Sequence, residues 1–251
     1  MKCFDIILLL KFTGITFSVI ANVHTALPHA ALAQSAVYAD TQRPPNPPSN
    51  PPPNQTRPGG GLNPNSSAMC TPQNESLQAL IPIDAPVLTA SDHPTFFFYV
   101  PFGNGAIKRA EFSMLIWPGE LQRHYEANIL LPDSPGIVGV SLPGAPDYAL
   151  EEGQNYRWYL NIYCQDGRPQ QPDLTVNGIV QRVPFTPERD RQGQSTSLEP
   201  WHDTLESAVE QLERSPDDPD AYRQLTALLQ HIDADDISEI SLAGTAIILD
   251  E

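Results

Sequence analysis

The chain has 251 residues and carries 30 Asp and Glu against 14 Lys and Arg, a formal net charge of −16. So acidic a balance excludes the basic footprint of a nucleic-acid binder and is repelled by anionic membrane surfaces. Beyond that it favours solubility and names no partner.

The N-terminus predicts export. Lys2 precedes two apolar runs, Ile6 to Leu10 and Phe12 to Val23, broken only by Lys11. Ala31-Leu32-Ala33 before Gln34 then fits the small-x-small rule for a signal peptidase, so residues 1–33 read as a signal peptide. The apolar stretch ends at His24, Pro28 and His29 and suits a cleaved signal better than an uncleaved anchor. The expected location is the periplasm or cell envelope. Cys3 lies before the apolar stretch and leaves with it, so a lipoprotein is not expected. Near the other end Ile237 to Leu249 is too short and too polar to cross a bilayer, so no transmembrane segment follows signal cleavage.

Cleavage leaves two cysteines, Cys70 and Cys164, an even number in an oxidising compartment. They are expected to form one disulfide, with two free thiols as the alternative. Neither has a C-x-x-C partner, so redox and zinc chemistry find no support.

Residues 34–68 read as a disordered, proline-rich linker. Arg43 to Pro58 holds eight prolines in sixteen residues, which favours extended polyproline II, and Gly59-Gly60-Gly61 adds flexibility. Glycosylation sequons stand at Asn54, Asn65 and Asn74.

Residues 69–185 read as an antiparallel β-sandwich. Expected strands are Leu77–Ile81, Val87–Thr89, Thr95–Pro101, Ala110–Trp117, Arg123–Leu131, Gly136–Leu142, Tyr156–Gln165 and Leu174–Val183, with Gly, Pro, Asn and Asp between them. Asn104-Gly105 reads as a hairpin turn. In the seventh strand Tyr156, Trp158, Leu160, Ile162 and Cys164 should face the core, and Arg157, Tyr159, Asn161 and Tyr163 should face away. Leu150, Gly153 and Tyr156 have the spacing of the tyrosine corner, which resembles fibronectin type III and related immunoglobulin-like sandwiches. Leu150, Gly153, Tyr156 and Trp158 are therefore expected to be structural.

A polar linker is expected over 186–197 and a helical segment over 198–251. Trp201, Leu205, Ala208, Val209 and Leu212 recur at helical spacing, with Pro200 at the first helical position. Asp218-Pro219 opens a second helix with the stripe Tyr222, Leu225, Leu228, Leu229 and Ile232. A short third helix is expected from Asp236, where Glu239 completes a capping-box spacing.

Several strings together resemble the cyanobacterial family catalogued as domain of unknown function 928. They are Leu77-x-Ala79-Leu80-Ile81-Pro82, Pro94-Thr95-Phe96-Phe97-Phe98-Tyr99-Val100-Pro101, Pro135-Gly136-Ile137-Val138 and Val140-Ser141-Leu142-Pro143. Tyr156-Arg157-Trp158-Tyr159, Cys164, Gly178-Ile179, Arg182-Val183 and Trp201-x-Asp203 continue the likeness, which covers roughly residues 59–243. The resemblance implies an exported protein and carries no catalytic residues.

Candidate chemistry is thin. Gly139-Val140-Ser141-Leu142-Pro143 has Pro143 in place of the last glycine of a nucleophile elbow, and no helix follows. Gly103-Asn104-Gly105 lacks the third glycine of a dinucleotide loop, where Lys108 stands. Asp233-x-Asp235 begins like a calcium loop but has Ile237 at the third position. His93, His124 and His202 lie in different elements, and Glu151-Glu152 and Asp217-Asp218 read as solvated turns. No catalytic residue, cofactor or metal is assigned.

Two aromatic strands remain. If they share a sheet, its outer face carries Phe97, Tyr99, Arg157, Tyr159, Asn161 and Tyr163, a possible interaction face for an unknown protein or glycan of the envelope. Trp201, Leu205, Tyr222 and Leu229 of the helices could instead cover it. The expected function is a binding or interaction module. The alternatives are an enzyme with an unrecognised, hydrolase-like site and a structural envelope component.

Overall fold

In the computed structural model the described residues are 51–59, 70, 76–164, 170–184, 200–234, 237 and 241–249. All lie in one of the chain's two compact units, Asn46–Glu251. The signal segment, the cleavage site, Asn65, Asn74, the 186–197 linker and the expected helix at Asp236 lie outside the described residues.

The alternating segments form strands close to their expected bounds: β1 (Gln78–Ala79), β2 (Val87–Thr89), β3 (Thr95–Val100), β4 (Ile107–Trp117), β5 (Arg123–Leu130), β6 (Gly136–Ser141), β7 (Asn155–Cys164) and β8 (Leu174–Arg182). Helices α1 (Trp201–Arg214) and α2 (Pro219–His231) follow, then β9 (Leu242–Thr245) and β10 (Ile247–Leu249). The strands make a four-stranded sheet, β1-β3-β6-β9, and a six-stranded sheet, β10-β5-β4-β7-β8-β2.

Three expectations change here. The sheets are mixed rather than antiparallel, because β2 runs parallel to β8 and β9 parallel to β6. The tail is not wholly helical, because the β-branched run at Ile247 and Ile248 and the left-handed Gly244 (φ 106°) suit short edge strands. Asn104-Gly105 does not close a hairpin: Asn104–Ala106 is a single 3₁₀ turn that carries the chain from β3 in one sheet to β4 in the other.

The core fills the space between the sheets. Phe96 and Phe98 of β3 meet Trp158 of β7 at ring distances of 5.7 and 5.5 Å, and Phe96 meets Phe112 of β4 at 5.1 Å. All four side chains are buried. Period two along β7 holds, with Tyr156, Trp158, Leu160, Ile162 and Cys164 turned inward and buried. Cys164 is joined to Cys70 by a disulfide with Cα atoms 5.5 Å apart.

The corner upstream of β7 has its own anchor. The Tyr156 hydroxyl accepts the Glu151 amide at 3.0 Å, Leu150 is buried, and Gly153 takes φ 78°, a turn conformation open to glycine.

Residues 51–59 are not a free spacer. Asn54 is buried: its Nδ2 donates to the Pro82 and Asp84 carbonyls at 2.9 and 3.1 Å, and its Oδ1 accepts the Ile179 amide at 2.8 Å. Gln55 exchanges backbone hydrogen bonds with Asn177 of β8, and the Thr56 carbonyl accepts the Ala79 amide of β1. The segment thus ties one sheet to the other. An extended backbone with free donors between prolines is well suited to pairing with a sheet edge, a signal that proline content obscured.

Helix α1 packs on β2 and β3. Trp201 Nε1 donates to the Leu80 carbonyl at 2.9 Å, Asp203 accepts the Ala90 amide at 2.9 Å, and Thr95 Oγ1 donates to Glu206 at 2.6 Å. Pro200 is the N-cap rather than the first helical residue. In α2 the Asp218 side chain caps the Asp220 amide, while Tyr222 is exposed and Ala221 takes the buried position.

Candidate functional site

The outer face of the six-stranded sheet is built by the odd-numbered residues of β7 and their cross-strand neighbours. Tyr159 stands between Ser113 and Asn177, Asn161 between Glu111 and Thr175, and Tyr163 beside Arg109. Side chains directly opposite one another on one face of a sheet lie about 5 Å apart, so each rung can interact.

At the first rung Glu120 is the hub. The β4–β5 turn places Gly119 at φ 97° and Glu120 at φ 53°, a left-handed conformation that costs a non-glycine residue on the order of 1 kcal/mol. From there the carboxylate folds back over β7. It accepts from Arg157 Nη1 at 3.0 Å and from the Tyr159 hydroxyl at 2.7 Å. Arg157 Nη2 donates to Asn177 Oδ1 at 2.9 Å, and the Asn177 amide reaches Gln55 Oε1 at 3.3 Å. Burial, reinforced by the bond to Glu120, pushes the Tyr159 phenol up to about 12, so it remains a donor at neutral pH.

The second rung joins Thr175 to Asn161 at 2.8 Å and Asn161 to Glu111 at 3.4 Å. At the third, the Arg109 guanidinium lies 3.9 Å over the Tyr163 ring and 3.5 Å from Glu111. Burial raises the Tyr163 phenol, with Glu111 adding to the effect and Arg109 opposing it. Arg157, Tyr159 and Asn161 are each partly exposed.

The six residues expected on one face divide between two sheets. Phe97 and Tyr99 belong to β3 and lie in the four-stranded sheet, both buried, with Phe97 opposite Gly139. The reason is the crossover at Asn104–Ala106, which puts β3 and β7 in opposing layers. Of the four helical residues expected to cover the face, Trp201, Leu205 and Leu229 are buried and Tyr222 is exposed. Trp201 is committed to Leu80, and α1 sits against β2, the edge of the six-stranded sheet farthest from β4 and β5 along the strand order.

Sequence reasoning missed Glu120, Asn177 and Gln55. The only local signal was the turn pair Pro118-Gly119 beside an acid; the other two converge from distant parts of the chain.

The weaker motifs are accounted for by packing. Ser141 Oγ lies 2.9 Å from Thr95 Oγ1, which donates to Glu206. His93 bonds Asp92 and the Ala145 carbonyl, and His124 bonds the Tyr148 carbonyl. His202 is fully buried against Phe96. Among the described residues no cluster of three or more His, Cys, Asp or Glu side chains could hold a metal ion, and no helix is long and apolar enough to cross a membrane.

One family model matches, Domain of Unknown Function (DUF928), over residues 54–242. No curated protein and no solved structure matches the chain.

Proposed function

The chain belongs to the DUF928 family, and we propose that it is an exported binding module of the cell envelope whose contact surface is the outer face of the six-stranded sheet. The observation that carries this reading is the pair of hydrogen-bonded networks on that face, one running Gln55–Asn177–Arg157–Glu120–Tyr159 and the other Thr175–Asn161–Glu111. Its side chains are held in place before any ligand arrives, which lowers the ordering cost of binding. Planar amides, a guanidinium and a carboxylate beside aromatic rings offer alternating donors and acceptors, and these suit the hydroxyls of a glycan. The strained Glu120 turn supports the same reading, since such strain tends to collect at functional sites.

The strand order further supports a fibronectin-like reading of the sandwich. Strands β1, β3 and β6 take the places of A, B and E, and β5, β4, β7 and β8 those of C′, C, F and G. Export would place the domain where envelope polysaccharides are met, and the Cys70–Cys164 bridge suits an oxidising compartment.

Retention of the mature protein on isolated envelope polysaccharide tests the reading. Wild type should be retained, and Tyr159→Ala with Asn161→Ala should lose retention while the melting temperature changes little. Unchanged retention of the double variant, or capture of proteins alone, would overturn it. Mass spectrometry of the protein in its native location should find Gln34 as the N-terminus; an intact Met1 would refute export.

A further inference from the structure

Beyond the rung of Arg109 and Tyr163 two neighbouring strands diverge. Pairing of β4 with β5 ends at Ala110 and Ile129, yet β4 continues to Ile107 beside β7 and β5 continues to Leu130 beside β10. A groove of about 390 Å³ opens between the ends, within the range of small-molecule sites. Leu130, Leu249 and Tyr163 contribute apolar wall, Asn128 an amide, and Lys108 and Arg109 positive charge.

The two cations arrive by a specific device. Successive side chains of a regular strand point to opposite faces. The register of β4 against β7 shifts between Ile107 and Arg109, so Lys108 is an extra residue in the strand. Such a bulge re-aims side chains, and here Lys108 and Arg109 are both exposed and both line the groove. Arg109 is held over Tyr163 and partly neutralised by Glu111, whereas Lys108 forms no ion pair among the described residues. Among the described residues no Asp or Glu lines the groove, in a chain that has 30 of them. Against a net charge of −16, a small hollow whose described lining holds two cations and no acid is a local reversal of sign.

We infer that this groove binds a small amphiphilic carboxylate, its acid group at Lys108 and Arg109 and its apolar body along Leu130, Leu249 and Tyr163. A charged head and an oily wall together demand a ligand with both parts. A bare anion leaves the wall in water, and a neutral hydrocarbon leaves the cations without a partner. The inference concerns a different ligand from the glycan proposed for the sheet face and does not depend on it.

Titration of the full mature protein with octanoate, followed by amide chemical shifts, tests the site. Saturable shifts are expected at residues 107–110 and 128–130, with 1-octanol and inorganic phosphate each binding at least tenfold more weakly. Lys108→Ala should weaken octanoate about tenfold, as expected for loss of one charge-assisted contact. It should leave the melting temperature and glycan retention unchanged, and Lys108→Arg should restore binding. Leu249→Asp should abolish it. Equal binding of octanol, equal binding of phosphate, absence of saturable shifts at these residues, or an unaffected Lys108→Ala variant would each overturn the inference.

Discussion

The indole of Trp158 occupies the space that a side chain at Gly178 would need. The two residues face each other across β7 and β8, and a Cβ on Gly178 would lie 2.6 Å from Trp158 Cζ2 and 2.6 Å from Ile81 Cδ1. Gly178→Ala should therefore overpack the core and cost about 1–3 kcal/mol in urea unfolding. Trp158→Ala alone should cost about 3–5 kcal/mol by leaving a cavity. Because Trp158 supplies one of the two closest contacts and Ile81 the other, Gly178→Ala should cost less, though not nothing, in the Trp158→Ala background. Simple additivity of the two effects would count against this packing.

Tyr156 tests the corner separately. Tyr156→Phe keeps the buried ring and removes the one bond its hydroxyl makes to the Glu151 amide. The expected loss is about 1 kcal/mol with the fold retained. A much larger loss would mean the hydroxyl does more than anchor that turn.

Asn54 should behave as a core residue despite its place in a proline-rich run. Asn54→Ala leaves the Ile179 amide and two carbonyls without their partner. Stability should fall by about 2–3 kcal/mol, and the 51–59 backbone should exchange its amide hydrogens faster. The folded protein should also resist glycosylation at Asn54, because that side chain is buried and fully bonded. Modification of folded protein at Asn54 would contradict this placement.

The disulfide closes a loop with a sequence separation of 94. In the chain-entropy account a loop of that size is worth about 4–5 kcal/mol, and measured values are often lower. Reduction, or Cys164→Ala with Cys70→Ala, should lower the unfolding midpoint accordingly. Thiol labelling of denatured but unreduced protein should modify neither cysteine.

His202 gives a pH dependence with a definite sign. Its burial pushes the imidazole down to about 4 from an ordinary 6.5, with the Thr95 backbone opposing the shift. The unfolded chain therefore takes up a proton before the folded one does, and stability should fall as pH drops from about 6.5 toward 4, by up to about 3 kcal/mol. Glu206, on the same helix, works the other way: burial raises its carboxyl, so its contribution is lost as pH rises above the ordinary range. Asp203, held by the Ala90 amide, also lies on that helix. The comparison that isolates the histidine is the urea midpoint of wild type against His202→Phe from pH 7 to 4. The difference between them should shift in favour of the variant on acidification; parallel curves would exclude the histidine as the cause.

The positions of β1 to β8 and the faces of β7 were legible in the residues themselves, because alternation is a local property, whereas β9 and β10 were not. Along β7 the order from Tyr156 to Cys164 is enough to say which side chains go inward, and Leu150, Gly153 and Tyr156 are close enough in the chain to mark the corner. The helical stripes of α1 and α2 were legible for the same reason. Sheet membership was not, since it depends on partners far apart in sequence: nothing near Phe97 states that the next turn crosses to the other layer, and so Phe97 and Tyr99 leave the face that Tyr159 occupies. The docking of Asn54 onto Pro82 and Ile179 and the convergence of Glu120, Asn177 and Gln55 on Arg157 were likewise decided in three dimensions. Each is a hydrogen-bonding choice made only when the two sheets close, when buried donors and acceptors must find whichever partners the fold brings within reach.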